Sequence, residues 1–388
     1  MKIADFFSVR GIVEVVGSCE PAEVSLSTNS RLPNNENTFV ALKGDRFDAY
    51  NFIEDALANG ATAIIISHSD SRLSEIKKLS LKYANSQFFL VADSLKFLQD
   101  SARFRINEWK ESGGVVLGLT GSNGKTTTKE LLFSLAKSHL RDAVICTQGN
   151  LNNHIGVPLT IFSITDKHKF AIIEMGTNHF GEIEVLCDIA QPDFGYITNV
   201  GYAHTEFLIN LDGVLKEKSA LYEWVTRNGK RFFLNMEDHK LSSLPIVENV
   251  TCIDSKNVYK FESDYIKESY NIWNVKAACF ILEDIISISL VDELQNLKLP
   301  KNKRAQWIDV DDCKIYLDAY NANPTSMELA VREFSAQVPV DKSTLYIIGD
   351  MNELGEETEY HHAAISKSLN ELSIKDAFLL PIELAKLE

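Results

Sequence analysis

The chain is short of the signals that lead to or through a membrane. No apolar run reaches the roughly 18 residues of a membrane span. Residues 1–7, Met1-Lys2-Ile3-Ala4-Asp5-Phe6-Phe7, lack the long apolar core and small-residue cleavage site of a signal peptide. The expectation is a cytoplasmic protein without membrane insertion. CxxC pairs are missing too. The six cysteines (Cys19, Cys146, Cys187, Cys252, Cys279 and Cys313) are scattered, which argues against a metal cluster or disulfide frame and for free thiols in a reducing compartment. Positive charge is in deficit: 39 Lys and Arg stand against 54 Asp and Glu, a net charge of −15. Nucleic-acid binding needs a basic face, so no nucleic-acid partner is expected. Repeats, low-complexity tracts and heptads are absent. What remains is ordinary for a globular enzyme, 45% hydrophobic and 24% charged, and 388 residues suggest two or three domains.

One segment stands out. The apolar run Val115-Val116-Leu117 leads into Gly118-Leu119-Thr120-Gly121-Ser122-Asn123-Gly124-Lys125-Thr126-Thr127, and a helical pattern follows from Glu130. A glycine-rich turn between strand and helix aims several backbone N–H groups at one point, and the helix N-terminus adds partial positive charge. Lys125 supplies a cation and Thr126 a hydroxyl suited to Mg²⁺. The segment reads as a phosphate cradle for a nucleoside triphosphate. The general pattern places glycine where this chain has Leu119, with Gly118 and Gly121 on either side. A surface turn bearing a lysine is the plainer alternative; the strand before and the helix after favour the cradle. In so acidic a chain, such a site must be locally positive.

Three α/β blocks follow. In residues 1–110, segments 37–42, 62–66 and 88–91 read as strands, 52–59 and 95–109 as helices, and Glu111-Ser112-Gly113-Gly114 as a linker. In residues 113–296, segments 143–146, 170–174 and 196–199 are buried-type strands of a mostly parallel sheet; 183–189 and 214–225 fit crossover helices, and 274–286 a closing helix. Residues 299–388, starting near Leu299-Pro300, repeat the alternation: strand 315–317, helix 326–334, strand 345–348, helix 362–372, strand 377–380. Ligands of open α/β sheets bind beyond the carboxyl ends of the strands. Polar runs stand there: Glu174-Met175-Gly176-Thr177-Asn178-His179, Asn199 to Glu206, and Asp318 to Ser326. Read singly, Glu174 equally suits a strand-end ion pair, His204 a helix-flanking position, and Asp318 and Asn321 turns and caps.

Together with Asn150-Leu151-Asn152-Asn153-His154-Ile155-Gly156-Val157-Pro158 and Asp318-Ala319-Tyr320-Asn321-Ala322-Asn323-Pro324-Thr325-Ser326-Met327, the set resembles the Mur ligases, the ATP-dependent ligases of peptidoglycan synthesis. Ser27-Thr28-Asn29-Ser30-Arg31, Phe39 to Gly44 and Gly349 to Gly355 extend the resemblance over nearly the whole chain. Within the family it is most similar to the branch that adds D-alanyl-D-alanine to UDP-N-acetylmuramoyl-tripeptide.

The resemblance implies a UDP-sugar-binding first domain, a P-loop ATPase second domain and a Rossmann-like third. It implies attack of the tripeptide carboxylate on the ATP γ-phosphate, then displacement of phosphate from the acyl phosphate by the dipeptide amine. It assigns Thr120, Gly121, Ser122, Asn123, Gly124, Lys125, Thr126 and Thr127 to the phosphates. Thr126 and Glu174 would hold one Mg²⁺ and His204 a second. Lys218 would be carbamylated and so able to bind metal. Asn271 and Asn274 would lie near adenine, Arg304 on the phosphates and Asp318 on the ribose. Ser30, Arg31 and Lys43 would contact the UDP-sugar; Asn150, Asn153, His154 and Asn178 the muramoyl-peptide; Asn321 and Asn323 the substrates near the third domain. A monomer is expected.

Departures from the family pattern are Asp48-Ala49-Tyr50 for Asp-Gly-His, the bulky run Glu206-Phe207-Leu208-Ile209-Asn210 after His204, and Ala220 for an acidic residue. The second block is short between Leu234 and Tyr270, where the family usually carries additional strands, and an end at Glu388 suggests a truncated third domain. Competing readings are a Mur-type ligase of other specificity and a relative that binds nucleotide or UDP-sugar without turnover. A kinase is disfavoured, since no second acceptor site of that type is visible.

Overall fold

The computed structural model describes residues 9, 11–17, 24–32, 36–44, 47–68, 72–258, 260–261, 263, 266–290, 293–299, 304–339, 342–372, 374 and 377–379. Residues 1–7, Cys19, Pro300 and Leu380, used above, lie outside them. The described residues fall into two compact units. One draws on Met1–Val116, Thr147–Ile173 and Val185–Gln191, the other on Leu117–Cys146, Glu174–Glu184 and Pro192–Glu388.

In the first unit, β1 (Ile12–Val16), β2 (Leu26–Ser27), β3 (Thr38–Val40), β4 (Ala63–Ser67) and β5 (Gln87–Val91) form one sheet in the order β1-β5-β4-β3-β2. β2 to β5 pair in parallel and β1 pairs antiparallel to β5. Successive side chains alternate between faces. Ile64, Ile66, Phe88 and Leu90 join a core with α1 (Ile53–Ala58) and α2 (Leu73–Lys82). Ala63, Ile65, Phe89 and Val91 join a second core with Phe97 and Leu98 of α3 (Ser94–Glu111). Burial on both faces is why these strands read as continuous apolar runs.

A six-stranded sheet follows in the order β11-β10-β9-β6-β8-β7. Its elements run β6 (Val115–Thr120), α4 (Lys125–Leu140), β7 (Val144–Cys146), α5 (Gly156–Phe162), β8 (Phe170–Glu174), α6 (Glu182–Ala190), β9 (Phe194–Ile197), α7 (Thr205–Leu208), α8 (Leu211–Asn228), β10 (Arg231–Asn235), β11 (Val250–Ile253) and α9 (Ser269–Ile286). β6, β9, β10 and β11 pair in parallel. α4 and α9 pack side by side. Between Leu234 and Tyr270 the chain carries β11.

Beyond these lie β12 (Gln306–Val310), β13 (Cys313–Leu317), α10 (Pro324–Gln337), β14 (Tyr346–Ile348), α11 (Thr358–Glu371) and β15 (Ala377–Leu379). The expected alternation of strand and helix from β13 to β15 is present, and β12 stands ahead of it. Among the described residues β13 does not pair with β14; it forms an antiparallel hairpin with β12, while β14 pairs in parallel with β15. The cause is the two-residue loop Asp311-Asp312, with Asp311 left-handed at φ 49°. Asp tolerates that conformation, and a two-residue loop folds the chain straight back. Val331, Tyr346, Ile348, Met351, Leu354, Ile365 and Leu369 form the core between α10, α11 and β14. No helix among the described residues is long and apolar enough to cross a membrane.

Candidate active site

β6 delivers the glycine loop. Leu119 is fully buried in the strand, so the position where the general pattern has glycine serves the core. Gly121 has φ 147°, and a Cβ there would sit 1.9 Å from Thr198 Oγ1. Gly124, at φ 77°, is the left-handed N-cap of α4. Glycine alone meets both demands without strain. Lys125 Nζ donates to the Gly121 carbonyl at 2.7 Å and the Ser122 carbonyl at 3.3 Å, curling over the loop. Thr120 Oγ1 donates to the Met175 carbonyl at 2.8 Å, tying the loop's base to the segment after β8. Thr126 Oγ1 donates to Glu174 Oε1 at 3.2 Å, and the buried Lys129 Nζ stands 4.0 Å from Glu174 Oε2. A hydroxyl beside a carboxylate, both oxygen donors, suits a small hard cation such as Mg²⁺. Among the described residues no three His, Cys, Asp or Glu side chains gather as a metal cage.

Around the loop, basic groups crowd together. Burial holds the Lys125 amine below the ordinary lysine range; Glu174 opposes that shift and Arg304 adds to it. Lys218, on α8 and 1% exposed, is pushed down to about 7, first by burial and then by Lys125, against Glu217. Burial also lowers His204, with Lys218 and Lys125 adding to the effect and Glu353 opposing it. His204 is left-handed at the head of α7, and its Nδ1 bonds Glu353 Oε2. The buried Arg304 Nε has no hydrogen-bond partner among the described residues. Arg304 thus acts on Lys125, Lys125 on Lys218, and both lysines on His204, and an anion placed among them would relieve that repulsion.

Beside Lys218, Glu217 is buried and accepts from Thr177 Oγ1 at 3.1 Å and from the backbone N–H of Gly181 at 2.6 Å and Ile183 at 2.7 Å. That carboxylate pins the 177–183 loop to α8. A second network leaves the glycine loop for α10. Ser122 Oγ donates to the Gly201 carbonyl at 3.0 Å and accepts from the Gly201 N–H at 2.9 Å. Thr325 Oγ1 accepts from the Tyr202 N–H at 3.2 Å, and a Cβ on Gly201 would meet it at 2.8 Å. Asn123 and Asn323 pair through their side-chain amides at 2.6 and 3.3 Å.

The structure thus gathers Thr120 to Thr127, Glu174, His204, Lys218 and Arg304. Asn274 lies against the loop, its amide 3.2 Å from where a Gly124 Cβ would stand, while Asn271 donates to Glu268 Oε2 at 3.3 Å. Asp318 is raised to about 6 by burial, with Arg304 opposing, and Arg304 lies 4.1 Å from the Tyr320 ring centre. Asn321 is exposed and accepts from the Ala322 N–H at 3.0 Å. Exposed Asn178 gives its backbone N–H to Glu182 at 2.6 Å. In the first unit, Ser30 accepts from Asn59 Nδ2 through its carbonyl at 3.1 Å, and the Arg31 N–H donates to Asn29 Oδ1 at 3.0 Å. Lys43 bridges to Asp48 through the backbone. Asn153 Oδ1 accepts from the N–H groups of Ile155 and Gly156, His154 accepts from Gln99 Nε2 through its carbonyl, and Asn150 is exposed. Leu42 and Ile155 pack on one core, setting Lys43 and His154 each one residue from it. Sequence reasoning passed over Glu217, Glu353, Asn199 and Thr325. Glu217 and Glu353 sat inside noted runs, yet only folding shows which donors they meet.

Residues 119–281 match the Mur ligase middle domain and residues 303–383 the Mur ligase, glutamate ligase domain. The chain is 31% identical to the UDP-N-acetylmuramoyl-tripeptide–D-alanyl-D-alanine ligase of Bacillus subtilis, over 87% of this chain and 75% of that one. The Escherichia coli protein of the same name is 28% identical, over 91% and 80%. Among solved structures, MurF from Acinetobacter baumannii superposes with a TM-score of 0.81 at 26% identity, covering 97% of this chain and 85% of that one. MurF ligase from Thermotoga maritima in complex with ADP gives 0.78 at 25% identity, covering 94% and 86%. A glycine loop among mutually repelling cations, set in this fold and this sequence kinship, leaves one assignment: the chain belongs to the Mur ligase family, among the relatives named UDP-N-acetylmuramoyl-tripeptide–D-alanyl-D-alanine ligase.

Proposed function

We propose that the chain is an ATP-dependent ligase that joins D-alanyl-D-alanine to UDP-N-acetylmuramoyl-tripeptide for peptidoglycan synthesis. The observation that carries this is the convergence of Lys125, Lys218, His204 and Arg304 on a glycine loop that also presents Thr126 to Glu174. A peptide carboxylate and a triphosphate repel one another. Cations fixed in place before they meet remove that barrier without reorganising during reaction. The loop N–H groups and Lys125 hold the phosphates. The carboxylate oxygen attacks the γ-phosphorus, ADP leaves, and the amine of the dipeptide then attacks the carbonyl carbon and expels phosphate. When bound, Mg²⁺ supplies charge neutralisation on the phosphates, and Thr126 and Glu174 are the residues that would hold it.

Lys218 belongs to the same reading. An amine with a pKa of about 7 keeps a substantial neutral fraction near neutral pH, and that neutral form can add CO₂ with release of a proton. The resulting carbamate would turn a cation that Lys125 repels into an anion that Lys125 attracts. The reaction runs in the cytoplasm, with a single chain as the working unit. The test is to combine protein, ATP, Mg²⁺, UDP-N-acetylmuramoyl-tripeptide and D-alanyl-D-alanine and follow phosphate and pentapeptide. Equal amounts of both support the reading. Phosphate without pentapeptide, or nucleotide binding without turnover, defeats it.

A further inference from the structure

Asn323 does two things with one side chain. Its Oδ1 caps α10 by accepting from the Ser326 N–H at 2.9 Å, within a capping box and ahead of Pro324 at the first helical position. Its amide also pairs reciprocally with Asn123: Asn323 Nδ2 donates to Asn123 Oδ1 at 2.6 Å, and Asn123 Nδ2 donates back at 3.3 Å. Asn323 is 5% exposed, so little water competes for these bonds. The main chain of Asn123 is fixed separately, its N–H by Asn199 Oδ1 and its carbonyl by Thr198 Oγ1 and Asn199 Nδ2. Its side chain is what reaches outward from the loop. One residue earlier, Ser122 grips Gly201, and Thr325 Oγ1 takes the Tyr202 N–H. Two polar relays therefore run from consecutive loop residues to the start of α10. Asp318 and Tyr320 precede that start in the chain and lie beside Arg304.

We infer that Asn323 is a positioning residue: its amide pair with Asn123 couples nucleotide occupancy of the glycine loop to the α10 segment, setting kcat rather than nucleotide affinity. The inference rests on the loop being an ATP site. Two substitutions separate coupling from capping. Asn123→Ala removes the partner amide and leaves the cap whole. Asn323→Ser keeps a capping oxygen but is too short to reach Asn123. Amide hydrogen exchange of residues 325–329 is measured with and without Mg²⁺ and a non-hydrolysable ATP analogue, whose binding is measured alongside.

In the parent protein the analogue slows exchange there about tenfold. In both variants the slowing disappears although the cap remains. Asn323→Ser keeps its KM for ATP within about threefold while kcat falls about tenfold, equivalent to ~1.4 kcal/mol. Retained slowing in either variant overturns the coupling and leaves Asn323 a cap. A parent protein that binds no analogue overturns the site reading and the coupling together.

Discussion

At Lys218 the chain holds an amine where water scarcely reaches it. The sign of the consequence is fixed by the direction in which burial moves its pKa. In the unfolded chain this lysine stays protonated up to its ordinary value of 10.5, whereas in the fold it releases its proton at about 7. Between those values the unfolded state binds more protons, so this group makes stability rise with pH, by ~1.4 kcal/mol for each pH step of one within that window. Below pH 7 both states are protonated and the penalty stays in full. Denaturant unfolding from pH 7 to 10 should show the rise, and Lys218→Met should flatten it; an equal slope in both proteins would contradict the burial argument. Lys125→Ala should lower turnover at least ~100-fold by removing the cation over the loop, as initial-rate phosphate release would show. At this scale the sequence was most legible where chemistry and chain neighbours coincide, as in Gly121 to Thr126. Glu217 and Glu353 were not legible, because their partners lie dozens of residues away.

Among the elements, the glycine loop and the 177–183 loop carry the sharpest geometric demands. Gly121→Ala would place a methyl group 1.9 Å from Thr198 Oγ1 on a backbone at φ 147°. Nucleotide affinity should fall at least ~100-fold by calorimetric titration, with the fold kept, since the loop must shift before phosphate can enter. Glu217→Gln replaces an acceptor of three donors by a group with one acceptor oxygen. Leaving part of that donor set unmet should cost about 1–3 kcal/mol and speed hydrogen exchange at residues 181 and 183. Strand and helix identities in the two large sheets were readable because burial on both faces writes long apolar runs, as in β4, β5 and β8. The β12–β13 hairpin was not. Its strands carry Gln306, Asp309 and Lys314 among exposed apolar residues, and its pairing depends on one left-handed aspartate.

For the whole molecule, the acidic balance and the basic site are two sides of one design. A net charge of −15 spread over the chain disfavours stray polyanions, while four basic groups near one loop would favour an anion there. The kinship to the dipeptide-adding ligases was legible in the runs at Asn150, Glu174 and Asp318, because polar residues in fixed order at strand ends make a pattern that apolar packing does not. The polar relays from Ser122 and Asn123 to α10 were hidden, since each links residues 79 or 200 positions apart. The joint test of loop, cations and kinship is the fate of one oxygen atom. UDP-N-acetylmuramoyl-tripeptide labelled with ¹⁸O in its terminal carboxylate is turned over with ATP, Mg²⁺ and D-alanyl-D-alanine, and the released phosphate is weighed by mass spectrometry. Activation of that carboxylate at the γ-phosphate predicts one ¹⁸O in each phosphate; phosphate free of label contradicts it.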